Sequence, residues 1–158
     1  MSNEPAMTAE SFDIGQFLPY RLGRLAGLVS ADFFATLGEG NAQGWTESYL
    51  MAALAREPGL TAREINVRSG LGKVAISRAV AALENAGRLI RTRDAADRRQ
   101  ERLSLSPRGE EDFRRFVSAA KAYAGRLALL CGTEDLGRIS ALVATIEDEL
   151  FAAGTADG

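Results

Sequence analysis

Apolar residues recur along most of this chain at three- and four-residue steps. From Phe17 to Leu37 the stripe is Leu18, Leu22, Leu25, Val29 and Phe33, widened by Phe34 and Leu37, which predicts a long amphipathic helix with Pro19 tolerable in its first turn. After a polar, glycine-rich loop, a helix is predicted from Trp45 to Arg56, with Trp45, Tyr49, Leu50, Met51 and Leu54 as its apolar members and Pro58-Gly59 as its stop. Thr61-Ala62-Arg63-Glu64 has capping-box spacing and opens a short helix whose apolar residues are Ile65 and Val67. Ser69-Gly70-Leu71-Gly72 breaks it, because two glycines in four positions allow backbone angles other residues resist. A second helix follows from Lys73 to Asn85. Ile76, Val80 and Leu83 form its apolar face, Lys73, Ser77 and Arg78 its polar one, and Gly87 its left-handed cap. Leu89–Arg93 and Arg102–Leu105 then read as short strands around a polar loop.

Two more helices complete the pattern. Ser106 and Pro107 suit the N-cap and first position of a helix that runs from Arg108 to Leu130 through Phe113, Phe116, Val117, Ala120, Tyr123, Ala124 and Leu127. Gly132-Thr133 interrupts it, with Thr133 the expected N-cap of a last helix that reaches Phe151 through Leu136, Ile139, Leu142, Val143, Ile146 and Leu150. Residues 1–13 lack periodicity and read as a mobile tail, and 152–158 as a frayed one.

Two short helices joined by a glycine turn make a helix-turn-helix, whose second helix suits a DNA major groove, and the hairpin after it makes a wing. The fold class expected is mainly α: a winged helix-turn-helix over residues 45–106 with a two-stranded β wing. A helical dimerisation region is built from N- and C-terminal helices over 14–40 and 107–151. The stripes on those outer helices exceed what the module can cover, so a second copy related by a two-fold axis is the economical partner. Such a dimer would read two half-sites about 34 Å apart on a near-palindromic duplex.

Composition changes this picture in one respect. The net charge of −2 looks wrong for a nucleic-acid binder until it is divided. From Thr61 to Arg108 eleven basic residues face five acidic ones, whereas the remainder holds eight basic and sixteen acidic. A basic module inside an acidic chain is the asymmetry of a protein that meets DNA through one part only. Enzymatic readings fare badly. With no histidine, a histidine-based triad and histidine-bearing zinc sites are excluded, and one cysteine builds no thiolate cluster. Neither a Walker nor a dinucleotide glycine fingerprint occurs, so no catalytic residue, metal or cofactor is expected. The lone Cys131 has no adjacent cation and reads as a small buried hydrophobe rather than a redox sensor. The absence of a disulfide framework, a signal-like stretch or an apolar run long enough to span a bilayer suits a cytoplasmic setting.

The run Ser69-Gly70-Leu71-Gly72-Lys73-Val74-Ala75-Ile76-Ser77-Arg78-Ala79-Val80, then Leu83-Glu84-Asn85-Ala86-Gly87, resembles the multiple antibiotic resistance regulator (MarR) family. Arg91, the wing signature Asp97-Arg98-Arg99 and Leu103-Ser104-Leu105-Ser106-Pro107-Arg108-Gly109 extend the resemblance. It implies a homodimeric transcription regulator acting on double-stranded DNA and released by a small, often aromatic, effector.

On this reading Lys73, Val74, Ser77 and Arg78 face the major groove. Val74 suits a thymine methyl, and Arg78 suits either a guanine edge or a phosphate. Arg98 would enter the minor groove beside Arg99, oriented by Asp97. Thr61 and Ser69 could donate to phosphates, Thr61 being first of all a cap, while Arg91 either flanks the backbone or pairs with local acids. By family analogy an effector pocket would draw on Phe33, Phe34, Trp45, Tyr49, Phe113 and Phe116, which at helical spacing are equally core residues. A winged-helix adaptor for a protein partner and a ligand sensor without DNA function are the alternatives; the arginine-rich wing argues against both.

Overall fold

The computed structural model describes residues 12–38, 44–93 and 100–156. The elements, in chain order, are α1 (Leu18–Thr36), α2 (Trp45–Arg56), α3 (Ala62–Ser69), α4 (Lys73–Asn85), β1 (Leu89–Arg93), β2 (Glu101–Leu105), α5 (Pro107–Cys131) and α6 (Thr133–Ala156). The chain forms two compact units, Met1–Ala42 and Gln43–Gly158. In the first, α1 starts at the position Pro19 permits, after a turn in which the Gly15 N–H donates to the Asp13 carboxylate at 2.8 Å. Leu18, Leu22 and Leu25 of its stripe are exposed, and Phe33 is buried with its ring edge-on to Phe34.

The second unit holds the core. Leu50, Met51 and Leu54 of α2 meet Ile65 of α3, Ile76, Ala79, Val80 and Leu83 of α4, and Leu89, Leu103 and Leu105 of the hairpin. The strands pair antiparallel from Leu89 opposite Leu105 to Arg93 opposite Glu101, so β2 begins one residue before the expected Arg102. A further rung lies outside the sequence reading. Leu60 bridges Leu103, with the Leu103 N–H donating to the Leu60 carbonyl at 2.9 Å and the Gly59 N–H to the Leu103 carbonyl at 2.8 Å. A single leucine after Pro58-Gly59 reads as turn, and only the sheet edge beside it makes it strand.

Several expectations need correction. Val67 is 72% exposed, because two residues beyond the inward Ile65 a helix has turned about 200°. Trp45 and Tyr49 lie off the core, Trp45 being 50% exposed. Gly132, not Thr133, precedes α6: its carbonyl accepts the Leu136 N–H at 3.1 Å, leaving Thr133 the first helical residue. That helix continues to Ala156, beyond the expected Phe151, since the one intervening glycine weakens a helix by only about 1 kcal/mol. Cys131 is exposed rather than buried, at the last position of α5, where its thiol reaches the Leu127 carbonyl.

Candidate nucleic-acid interface

The helix-turn-helix is assembled from local hydrogen bonds. Thr61 caps α3: its hydroxyl accepts the Glu64 N–H at 3.2 Å, while the Glu64 carboxylate accepts the Thr61 N–H at 2.7 Å and its hydroxyl at 2.9 Å. Those backbone and side-chain bonds from Thr61 hold the Glu64 carboxyl below the ordinary glutamate range. The Thr61 hydroxyl is thus occupied inside the cap. Gly70 ends α3 with φ of +66°, a left-handed conformation open to glycine. Ser69 braces the turn, its hydroxyl donating to the Asn66 carbonyl at 3.3 Å and accepting the Leu71 N–H at 3.1 Å. The Asn66 amide closes the loop by donating to the Leu71 carbonyl. Sequence reasoning gave Asn66 no role. An amide three residues before a glycine-rich turn was the available signal.

With Ile76, Ala79, Val80 and Leu83 buried, α4 presents Lys73, Val74, Ser77 and Arg78 outward, and Val74 is 64% exposed. The helix spans about 20 Å, comparable with a groove-reading segment. It ends in a Schellman motif: Gly87, at φ of +68°, donates to the Glu84 carbonyl at 2.9 Å and Arg88 to the Leu83 carbonyl at 2.8 Å. A groove of about 320 Å³ runs along the α3–α4 face, lined by Arg63, Asn66, Lys73, Ser77 and Arg91 over a floor that includes Ile76 and Val80.

The basic surplus of this segment is not uniformly available. Arg68 binds Glu57, and that hydrogen bond holds the Glu57 carboxyl below its ordinary value. Arg91 bonds Glu101 at 2.6 Å and Glu84 at 2.9 Å; the Glu101 bond, more than the Glu84 one, raises its guanidinium above the ordinary value. Arg102 donates to the Gly59 carbonyl at 3.1 Å, and Arg88 is buried against Asp112. Arg63, Lys73, Arg78 and Arg93 make no ion pair with another described residue, and all four are exposed. Arg91 therefore pairs with local acids. Asp97, Arg98 and Arg99, the expected wing tip, lie outside the described residues.

The expected effector-pocket residues are not gathered in the second unit. Tyr49 lines a groove of about 400 Å³ with Ala53, Arg56, Leu60, Ile65 and Arg68. Phe113 lines a separate one of about 350 Å³ with Leu54, Pro58, Leu105 and Glu110. Phe113 stacks on Phe116 with ring centroids 6.3 Å apart, and Phe33 and Phe34 belong to the first unit. Among the described residues no acid or cysteine cluster could hold a metal ion, and no helix is long and apolar enough to cross a membrane.

A capped helix-turn-helix with an outward cationic face and a β hairpin behind it defines the winged helix-turn-helix class of DNA-binding transcription regulators. Residues 44–100 match the model of the MarR family. The match covers α2, the helix-turn-helix and the first wing strand, and it is over this segment that the chain resembles the family. Among solved structures it is similar to the transcriptional repressor CouR bound to a 23-mer DNA duplex, at 26% identity and TM-score 0.76, covering 86% of this chain and 98% of that one. The fold is also that of the PcaV transcriptional regulator from Streptomyces coelicolor in complex with its natural ligand, at 22% identity and TM-score 0.77, covering 90% and 98%. Streptococcus pneumoniae FabT in complex with DNA shares it too, at 16% identity and TM-score 0.70, covering 86% and 96%. No curated protein sequence matches significantly.

Proposed function

We propose that this protein is a homodimeric, sequence-specific repressor acting in the cytoplasm, which binds a pseudo-palindromic operator and is released by a small effector. The observation that carries the reading is the outward face of α4 and its flank, where Lys73, Arg78, Arg63 and Arg93 are exposed cations without a described counter-ion. Val74 and Ser77 sit among them as short groups able to meet base edges. A cationic face on and beside a helix of groove-reading length is suited to phosphates and bases together. Ser69 sits at the turn before α4, near enough in sequence to approach a phosphate, and the wing residues Arg98 and Arg99, oriented by Asp97, would extend the grip into the minor groove.

Dimerisation is supported by the apolar residues left in solvent. Ile139, Leu142, Val143, Ile146 and Leu150 form one exposed stripe along α6, and Leu18, Leu22 and Leu25 another along α1, more than an isolated soluble chain ordinarily shows. The repressor assignment follows the similarity to CouR. For the effector, the Tyr49 groove combines an apolar floor with Arg56 at its edge, Arg68 there being bonded to Glu57, a setting suited to a small aromatic molecule. An effector acts by binding one separation of the two reading heads better than the other.

The test is to select preferred duplexes from a randomised pool with the full-length protein, then measure affinity and mass of the complex. A near-palindromic preference, strong salt dependence and two protomers per duplex are expected. Binding without sequence preference, or a monomer at micromolar concentration, refutes the reading. A thermal-shift series with aromatic acids, repeated on Tyr49→Ala, tests the effector site separately.

A further inference from the structure

Where the recognition helix ends and the long α5 begins, the chain is tied by a buried polar joint. The Ser106 N–H donates to the Arg88 carbonyl at 3.0 Å, and its hydroxyl donates to the Gly87 carbonyl at 2.7 Å while accepting the Gly109 N–H at 3.0 Å. Gly109 lets the two segments approach: a Cβ there would lie 2.0 Å from the Arg88 carbonyl oxygen. Across this contact the Arg88 Nε donates to Asp112 at 2.7 Å, with side chains only 8% and 9% exposed. Arg108 and Arg115 stand at 4.0 Å from the same carboxylate, from the solvent side.

A buried ion pair is a poor device for stability alone, because desolvating both charges offsets most of their attraction, and apolar replacements of equal volume are often neutral. Its distinctive property is direction: the guanidinium accepts only a narrow range of carboxylate positions. Here direction matters, because α4 and α5 share no broad packed face; α2 packs against both, and the joint is their direct link at the far end. The Ser106 bonds and the β2 contact pin only the first turn of α5, so packing on α2 without the ion pair would let the rest of the helix roll against the module at little cost. We propose that Arg88 and Asp112 are positioning residues that fix the angle between α5 and the recognition helix. In the dimer proposed above, on which this inference rests, they thereby set the half-site separation the protein accepts.

The test uses the full-length protein, its selected duplex and versions of that duplex with one base pair inserted or removed between half-sites. Arg88→Met/Asp112→Leu replaces the pair by apolar groups and keeps the volume, and Asp112→Asn removes the charge alone. The expected result is an unchanged melting temperature and protomer number for the double variant. Its affinity for the native spacing should fall at least about tenfold, the effect of a single lost base contact, with little change on the altered spacings. Asp112→Glu, which restores the charge, should recover part of the spacing preference. A double variant that keeps the wild-type preference overturns the inference, and so does one that fails to fold, since the pair would then serve stability. A wild-type protein that binds no duplex refutes the DNA-binding reading itself, a distinguishable outcome.

Discussion

Replacing Lys73 by alanine removes a cation from the first turn of α4 without touching the core, since the side chain is exposed and has no described counter-ion. Suppose the DNA backbone is gripped by Arg63, Lys73, Arg78 and Arg93 of each protomer. A dimer then neutralises about eight phosphates through these residues, giving a slope of about −7 in log affinity against log salt. Lys73→Ala deletes two of those contacts and should make the slope shallower by about 1.8. Between about 50 and 200 mM salt, the ratio of wild-type to variant affinity then shrinks by about twelvefold. Arg68→Ala is the matched control. It removes the same formal charge from α3, but Arg68 is already engaged by Glu57, so its slope should change by less than about 0.5. Fluorescence anisotropy on a labelled operator across that salt range reads both slopes, and a melt confirms that each variant is folded. Equal slopes for the two variants, or an unchanged slope for Lys73→Ala, would refute the division of the basic residues into engaged and available ones.

Other expectations concern the scaffold. Ile76→Ala empties a site only 2% exposed under the recognition helix and should lower unfolding stability by about 2–5 kcal/mol in urea titrations, with DNA binding lost as the helix loosens. Gly87→Ala forces a side chain into the left-handed cap at φ of +68° and should cost about 1–2 kcal/mol in the same assay; no loss would mean that the cap is not formed in solution. Glu57 and Glu64 both titrate below their ordinary range in the folded chain, so their contribution is fully present above the unfolded-state pKa of about 4.3 and is lost as pH falls through the lower folded values. Stability measured from about pH 5 downward should therefore decline less steeply in Glu64→Gln than in the wild type.

The sequence by itself determined what depends on near neighbours. The Thr61–Glu64 box, the glycine turn, the bounds of α4 and the left-handed Gly87 all arise from hydrogen bonds and backbone preferences within a few residues, and each was legible from spacing. So was the inward face of α4, because a 3.6-residue period separates Ile76, Val80 and Leu83 from Lys73, Ser77 and Arg78 whatever lies beneath. Partnership across the chain was not legible. That Arg88 is buried on Asp112, that Arg91 is held by Glu84 and Glu101, and that Leu60 joins the sheet are facts of three-dimensional proximity. A count of charges weights every arginine alike, whereas a folded surface offers only those left without a counter-ion. Likewise, aromatic spacing placed Tyr49 and Phe113 on their helices, but the packing of α2 against β2 and α5 decided that they open into different grooves. Local chemistry built the helix-turn-helix, and tertiary packing chose which of its described charges pair with acids and which stay exposed.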